Sequence, residues 1–147
     1  MANWKTIVLI GLCPLLAHGE DRIQEILYGE WNGASRAFEG LSMQIDRDYL
    51  SVGQCKEIPY QVLTSKIELN PYGDVQKFYL EGPWNVFALK LEENCTRYRV
   101  LVFSIHDNHR CNAQVAKFRT IERYPEGPIE SWGIWTNPEK IGSCGFN

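Results

Sequence analysis

The chain lacks several sequence patterns that define large functional classes. It has no tract of basic residues, since 15 Lys and Arg residues stand against 18 Asp and Glu, for a formal net charge of −3. Nucleic acids and anionic membrane surfaces are therefore poor partners for it. It also has no Ser-centred nucleophile elbow, no Gly-rich phosphate loop and no His-Glu-x-x-His pattern. We accordingly expect neither an enzyme nor a bound cofactor.

Long apolar runs are scarce as well, and the one present lies at the N-terminus. Lys5 precedes an apolar segment at residues 6–17, and the small residues Ala17 and Gly19 follow it. A charged start, an apolar stretch too short to span a bilayer and a small-x-small cleavage site are typical of a secretory signal peptide. We expect residues 1–19 to be removed. Residues 20–147 would then form a single exported domain, secreted or periplasmic, without a membrane span.

The cysteines fit export. Cys13 would leave with the signal peptide, so four of the five cysteines remain, which are Cys55, Cys95, Cys111 and Cys144. An even number of cysteines in an oxidising compartment predicts two disulfides. The mature chain of 128 residues (147 minus 19) is long enough for one domain with a substantial hydrophobic core.

Helical patterning is confined to residues 20–27, about two turns, and the rest of the chain has β character. Strands are predicted from Trp31 onward and then at residues 41–46, 49–52, 58–69, 75–81, 84–91, 97–105 and 111–121. Eight strands with short connections favour an all-β, antiparallel up-and-down barrel with a short N-terminal helix. The tail, rich in Gly, Pro and Trp, would be tethered to it by a disulfide.

Chain reversals in such a meander also predict how the cysteines pair. Each strand carries the chain to the opposite end of the barrel. With the strands above, Cys55 and Cys111 fall at one end, and Cys95 and the start of the tail fall at the other. Among the three possible pairings, this count favours Cys55 with Cys111 and Cys95 with Cys144. One miscounted strand would reverse the assignment.

The segment Gly29-Glu30-Trp31, after a short helical turn and before about eight strands, resembles the start of calycin barrels, lipocalins above all. In lipocalins this tryptophan closes the barrel floor and stacks on an arginine from the end of the last strand. The resemblance implies that Arg119 or Arg123 closes the barrel with Trp31. A second lipocalin signature, Thr-Asp-Tyr, has a distorted counterpart in Thr96-Arg97-Tyr98, where arginine replaces the aspartate.

The aromatic residues are the best sequence clue to a binding site. Independently of the resemblance, a tryptophan beside a glycine bend is most readily explained as a core plug, with a ligand contact as the alternative. Most other aromatic side chains must fill the barrel, and Trp132 and Trp135 in the tail would pack over its wall or mouth or form an exposed patch. The candidate ligand contacts are Trp31, Tyr60, Trp84 and Tyr98.

Residues 106–111, His-Asp-Asn-His-Arg-Cys, look most like a metal or catalytic site. Two histidines, an aspartate and a cysteine are ligands for zinc or copper. However, polar residues are also favoured in hairpin turns, and a disulfide-bonded Cys111 is not available as a thiolate. We therefore predict no metal site here.

These features favour an exported, disulfide-bonded, lipocalin-like protein that binds a small apolar or amphipathic ligand. One alternative is a protein-binding barrel that inhibits an envelope-directed enzyme or neutralises a toxin. The other is a metal-dependent enzyme that uses His106 and His109.

Overall fold

The fold is a closed barrel of eight strands, seen in a computed structural model that describes residues 22–69, 82–93 and 95–144. Residues 22–26 form a short helix. The strands are β1 (Gly29–Gly33), β2 (Ser42–Ile45), β3 (Tyr49–Val52), β4 (Cys55–Glu68), β5 (Trp84–Leu91), β6 (Val100–His106), β7 (Asn112–Phe118) and β8 (Ser131–Thr136). Each strand pairs antiparallel with its sequence neighbours, and β8 pairs with β1. The predicted up-and-down barrel is confirmed.

The strand that closes the barrel differs from the one expected. Residues 75–81, predicted as a strand, lie outside the described residues, and β4 pairs directly with β5 from Tyr60 opposite Leu91 to Glu68 opposite Trp84. The eighth strand comes instead from the tail, as β8. Its alternation buries Trp135 completely and leaves Trp132 39 % exposed on the outer face. One tail tryptophan therefore belongs to the core and the other to the surface.

The disulfide pairing inferred from the strand count is wrong, although all four cysteines are bonded as predicted. Cys55 is linked to Cys95, and Cys111 is linked to Cys144. Because β4 and β5 are adjacent in the barrel, two strands separate Cys55 from Cys95 and return the chain to the same end. The strands β7 and β8 do the same between Cys111 and Cys144. The second bond tethers the tail, as expected.

The barrel has two ends that are covered differently. The helix end is formed by residues 22–28, the β2–β3 and β6–β7 turns, and residues 137–144. The loop end is formed by the connections at residues 34–41, 53–54, 92–93 with 95–99, and 119–130. Within the described ranges, no helix has the length and apolar character needed to cross a membrane.

A loop residue enters the barrel at the loop end. Phe38 lies on a 3-10 turn (Arg36–Phe38), is buried, and has its ring centroid 5.7 Å from that of Trp135. Two glycines make room for it. A Cβ at Gly133 would lie 2.1 Å from the Phe38 ring, and a Cβ at Gly33 would lie 1.9 Å from the Phe38 carbonyl oxygen. Part of the barrel interior is therefore filled by this loop and not by the strands.

Replacement of Gly133 by alanine is expected to destabilise the protein by about 1–3 kcal/mol, because the Phe38 ring must move out of an overpacked position. Urea unfolding measures the change. Gly142→Ala is the matched control, since a Cβ there meets no atom within 4 Å. An equal effect of both substitutions, or no effect of Gly133→Ala, would contradict the position of Phe38.

Candidate ligand site

The helix end of the barrel is closed by apolar packing. Trp31 is fully buried, and its Nε1 donates a hydrogen bond of 2.8 Å to the Leu27 carbonyl oxygen. Ile26 and Leu27 are buried in the same cluster. Trp31 therefore fills the core at the barrel floor, as its position beside Gly29 predicted.

A polar network fastens the helix to the barrel wall. Arg22 donates to the Lys66 carbonyl oxygen at 2.7 Å and to Oδ1 of Asn85 at 3.3 Å. Asn85 donates in turn to Asp107, whose carboxylate also accepts from Arg110 at 2.8 Å. The Arg110 hydrogen bond holds the pKa of Asp107 below its ordinary value. These hydrogen bonds hold the helix against the end of the barrel.

Barrel closure differs from what the lipocalin resemblance implies. Asn32, next to Trp31, pairs with Thr136, and Thr136 pairs with Asn112 at the start of β7. Arg119 follows the other end of β7, so it lies at the loop end and away from Trp31. The guanidinium groups of Arg119 and Arg123 pair instead with Glu130, at 2.7 and 3.4 Å.

A lysine from the tail, Lys140, contacts the C-terminal end of the helix. Its Nζ donates to the carbonyl oxygens of Glu25 and Ile26, at the C-terminal end of the helix. A cation stabilises a helix C-terminus because it compensates the carbonyl groups that lack an intrahelical partner. Sequence reasoning missed Lys140, because nothing in the tail indicated that it folds back onto the helix.

The loop end contains a cavity of about 190 Å³. Its wall is mostly apolar, formed by Met43, Val52, Leu91 and Leu101, with Leu41 at 40 % exposure. A cavity of roughly 150 Å³ lined by apolar side chains is large enough for benzene. The space therefore suits a small ligand or one end of a larger ligand.

Lys117 points into this cavity. It lies on β7 in phase with the inward-facing Ala113 and Val115 and is only 6 % exposed. Its Nζ is 4.3 Å from the ring centroid of Phe38, 5.0 Å from that of Tyr98 and 5.6 Å from that of Trp135. Burial lowers the pKa of Lys117 to about 8. Aromatic faces attract the ammonium but do not neutralise it.

Two further polar groups on the inner face near Lys117 are without partners. Among the described residues, Ser131 Oγ and Trp135 Nε1 are buried and make no hydrogen bond. Ser131 is directly opposite Lys117 in the β7–β8 register, and Trp135 lies on the same face of β8. Of these three hydrogen-bonding side chains, Lys117 lines the cavity, while Ser131 and Trp135 lie near Lys117 on the inner face of β8. In the described part of the chain, none of the residues that line the cavity is acidic.

The predicted ligand contacts are divided among different regions. Tyr98 lines the cavity, while Trp31 lies in the core at the opposite end. Tyr60 packs against the core, and its hydroxyl donates to the Asp46 carbonyl oxygen. Successive side chains of a strand point to opposite faces, and Phe87, three residues after Trp84, points inward. Trp84 therefore points outward, where its ring is edge-on to that of His106. Of the four, only Tyr98 is at the cavity.

The histidines of the β6–β7 turn have structural hydrogen bonds. Nδ1 of His106 accepts from the Asn108 amide, and Nδ1 of His109 lies 3.0 Å from the Cys144 carbonyl oxygen. Cys111 is in a disulfide. Across residues 22–69, 82–93 and 95–144, no group of three or more His, Cys, Asp or Glu side chains is arranged to hold a metal ion.

Sequence reasoning missed Lys117 and Ser131 as site residues. The sequence did carry a signal for Lys117. On the predicted strand it is spaced two residues from Val115 and four from Ala113, so the three side chains fall on the same face. Ser131 had no such signal, since its strand was read as part of the tail.

Comparison with models of protein families, with curated proteins and with solved structures gives no significant match for this chain. The likeness to lipocalins rests on the closed barrel of eight strands and on Gly29-Glu30-Trp31. The function must therefore be inferred from the site itself.

Replacement of Lys117 by methionine is expected to stabilise the protein more at pH 7 than at pH 10. Burial lowers the pKa of Lys117 from 10.5 to about 8. Between these values the unfolded state binds a proton that the native state lacks, so wild-type stability rises with pH in this window. The advantage of the variant should shrink by on the order of 2 kcal/mol between pH 7 and pH 10, as measured by urea unfolding.

Arg97 and Tyr98 are the titratable side chains that share the cavity with Lys117. Both are present in wild type and variant, so the comparison isolates the substitution at Lys117. A stability difference that does not change with pH would contradict the burial of Lys117 as an uncompensated charge.

Proposed function

We propose that the protein is a small exported binding protein, lipocalin-like in mode, that takes a small amphipathic ligand into the loop end of its barrel. The observation that carries this proposal is the apolar cavity at one end of a barrel that is sealed at the other. A space with a mostly apolar wall and a few converging polar groups is the usual form of a small-molecule site.

The interior limits the size of this ligand. An eight-stranded barrel is only just wide enough to be filled by its own side chains. Here Trp31 fills the helix end, and Phe38 with Trp135 fills the middle. The ligand therefore enters from the loop end and stops above the aromatic rings, so only a compact ligand is enclosed.

The two disulfides agree with an extracellular or periplasmic location. One fastens the β5–β6 connection beside the cavity to the start of β4. The other fastens the tail at the helix end. Both ends of the barrel are thereby held in place, and a preformed site loses less conformational entropy when a ligand binds.

Titration of the mature protein with 1-octanol, an uncharged amphipathic probe, tests this function by calorimetry. Leu41→Trp should lower the affinity by about tenfold or more, because the larger ring closes the cavity rim. Leu63→Trp is the matched control, since Leu63 has nearly the same exposure, 41 % against 40 %, but lies on β4 away from the cavity lining.

Binding that is lost in Leu41→Trp and kept in Leu63→Trp would support the loop-end site, provided that both variants melt cooperatively near the wild-type temperature. Absence of 1-octanol binding to the wild-type protein would overturn the proposed function. The same holds for binding that Leu41→Trp leaves unchanged.

A further inference from the structure

Lys117 in the cavity lining and two polar groups near it on the inner face share one chemical property. Lysine and the indole N–H are hydrogen-bond donors only, and a hydroxyl can donate. Lys117 Nζ has no acidic partner among the described side chains, and Ser131 Oγ and Trp135 Nε1 are buried without any partner in that part of the chain. Buried donors without an acceptor are costly to a fold. Together they match an acceptor-only group on a ligand.

The backbone register keeps these donors together. Lys117 and Ser131 are a directly opposed pair on β7 and β8, so their Cβ atoms lie about 5 Å apart. Trp135 is four residues beyond Ser131 on the same inner face, and its ring centroid is 5.6 Å from Lys117 Nζ. Gly133 between them carries no side chain, and its space is taken by Phe38. Lys117 lines the cavity and Ser131 is directly opposite it on the adjacent strand, and we call these two residues the donor cluster. Phe38 occupies the space between Ser131 and Trp135, so Trp135 is not part of this cluster.

The two charged residues that line the cavity are both basic, but one of them is paired, since the Arg97 guanidinium lies 4.0 Å from the Glu130 carboxylate. Arg97 joins Lys117 in the lining, and its side chain is 72 % exposed. The whole chain, in contrast, has a net charge of −3. Lys117 therefore supplies a positive charge that has no acidic partner among the described side chains, and such a charge attracts anions.

We propose that the ligand is a small monocarboxylate whose carboxylate accepts hydrogen bonds from the donor cluster and whose apolar part packs against Met43, Leu91 and Leu101. This inference rests on the proposed function and names its ligand class. One ammonium with one neutral hydroxyl donor matches a single negative charge. The volume suits a chain of about six to eight carbons or a single ring, because slightly less space already holds benzene.

The test compares octanoate with 1-octanol, which have equal chain length and differ in the head group. At pH 7 we expect the wild-type protein to bind octanoate about tenfold or more tightly than 1-octanol, as measured by calorimetry. Lys117→Met should remove this preference, because the positive charge that the carboxylate meets is lost. Ser131→Ala should reduce the preference by about threefold to tenfold, since one hydrogen bond to the charged group is lost.

Lys90→Met is the matched control. Lys90 lies on β5 and faces outward, where it pairs with Glu92 at 4.0 Å. The variant removes the same charge from the protein, so it should keep the full preference for octanoate.

Each outcome separates the inference from the function on which it rests. Equal affinity of the wild-type protein for octanoate and 1-octanol would overturn the carboxylate site and leave small-molecule binding standing. A preference that persists in Lys117→Met, or that disappears equally in Lys90→Met, would also overturn it. Failure of both probes to bind would overturn the function and the inference together.

Discussion

Closure of the sheet between β1 and β8 is the constraint on which the rest of the structure depends. Asn32 opposite Thr136 and Gly33 opposite Trp135 join the first strand to the last. Once the sheet is closed, the alternation of each strand divides its side chains into an inner and an outer set. The inner set has a fixed and small volume, so every aromatic residue that enters it leaves less room for a ligand.

The same closure creates the candidate site. Strand β8 comes from the tail and contributes Ser131, Gly133 and Trp135 to the inner face. It supplies a buried ring, a position without a side chain where Phe38 fits, and a hydroxyl opposite Lys117. The Cys111–Cys144 bond spans β7 and β8 with a sequence separation of 33 and contributes up to about 4 kcal/mol of stability in the chain-entropy model. The disulfide that tethers the tail therefore also holds in place the strand that contributes to the site.

The sequence was sufficient to predict the barrel and the role of Trp31, because both depend on local pattern. Period-two alternation identified most strands, and a tryptophan beside Gly29 indicated a buried plug. Features that depend on contacts between segments distant in sequence could not be predicted from local pattern. Strand β8 is short and begins within a turn-rich tail, so its strand character comes from pairing with β7 and β1. The wrong disulfide pairing followed directly, because parity depends on which segments the barrel includes.

The position of Lys117 links stability to function. A methionine there would fill the same space without burying a charge, and the fold alone gives no reason for an ammonium among three rings. The unsatisfied donors at Ser131 and Trp135 add to the same cost. Of the three residues, Lys117 lines the cavity and Ser131 is directly opposite it. An uncompensated buried charge in the lining of a mostly apolar cavity is what a preorganised binding site requires, since the ligand then supplies the acceptor that the protein withholds.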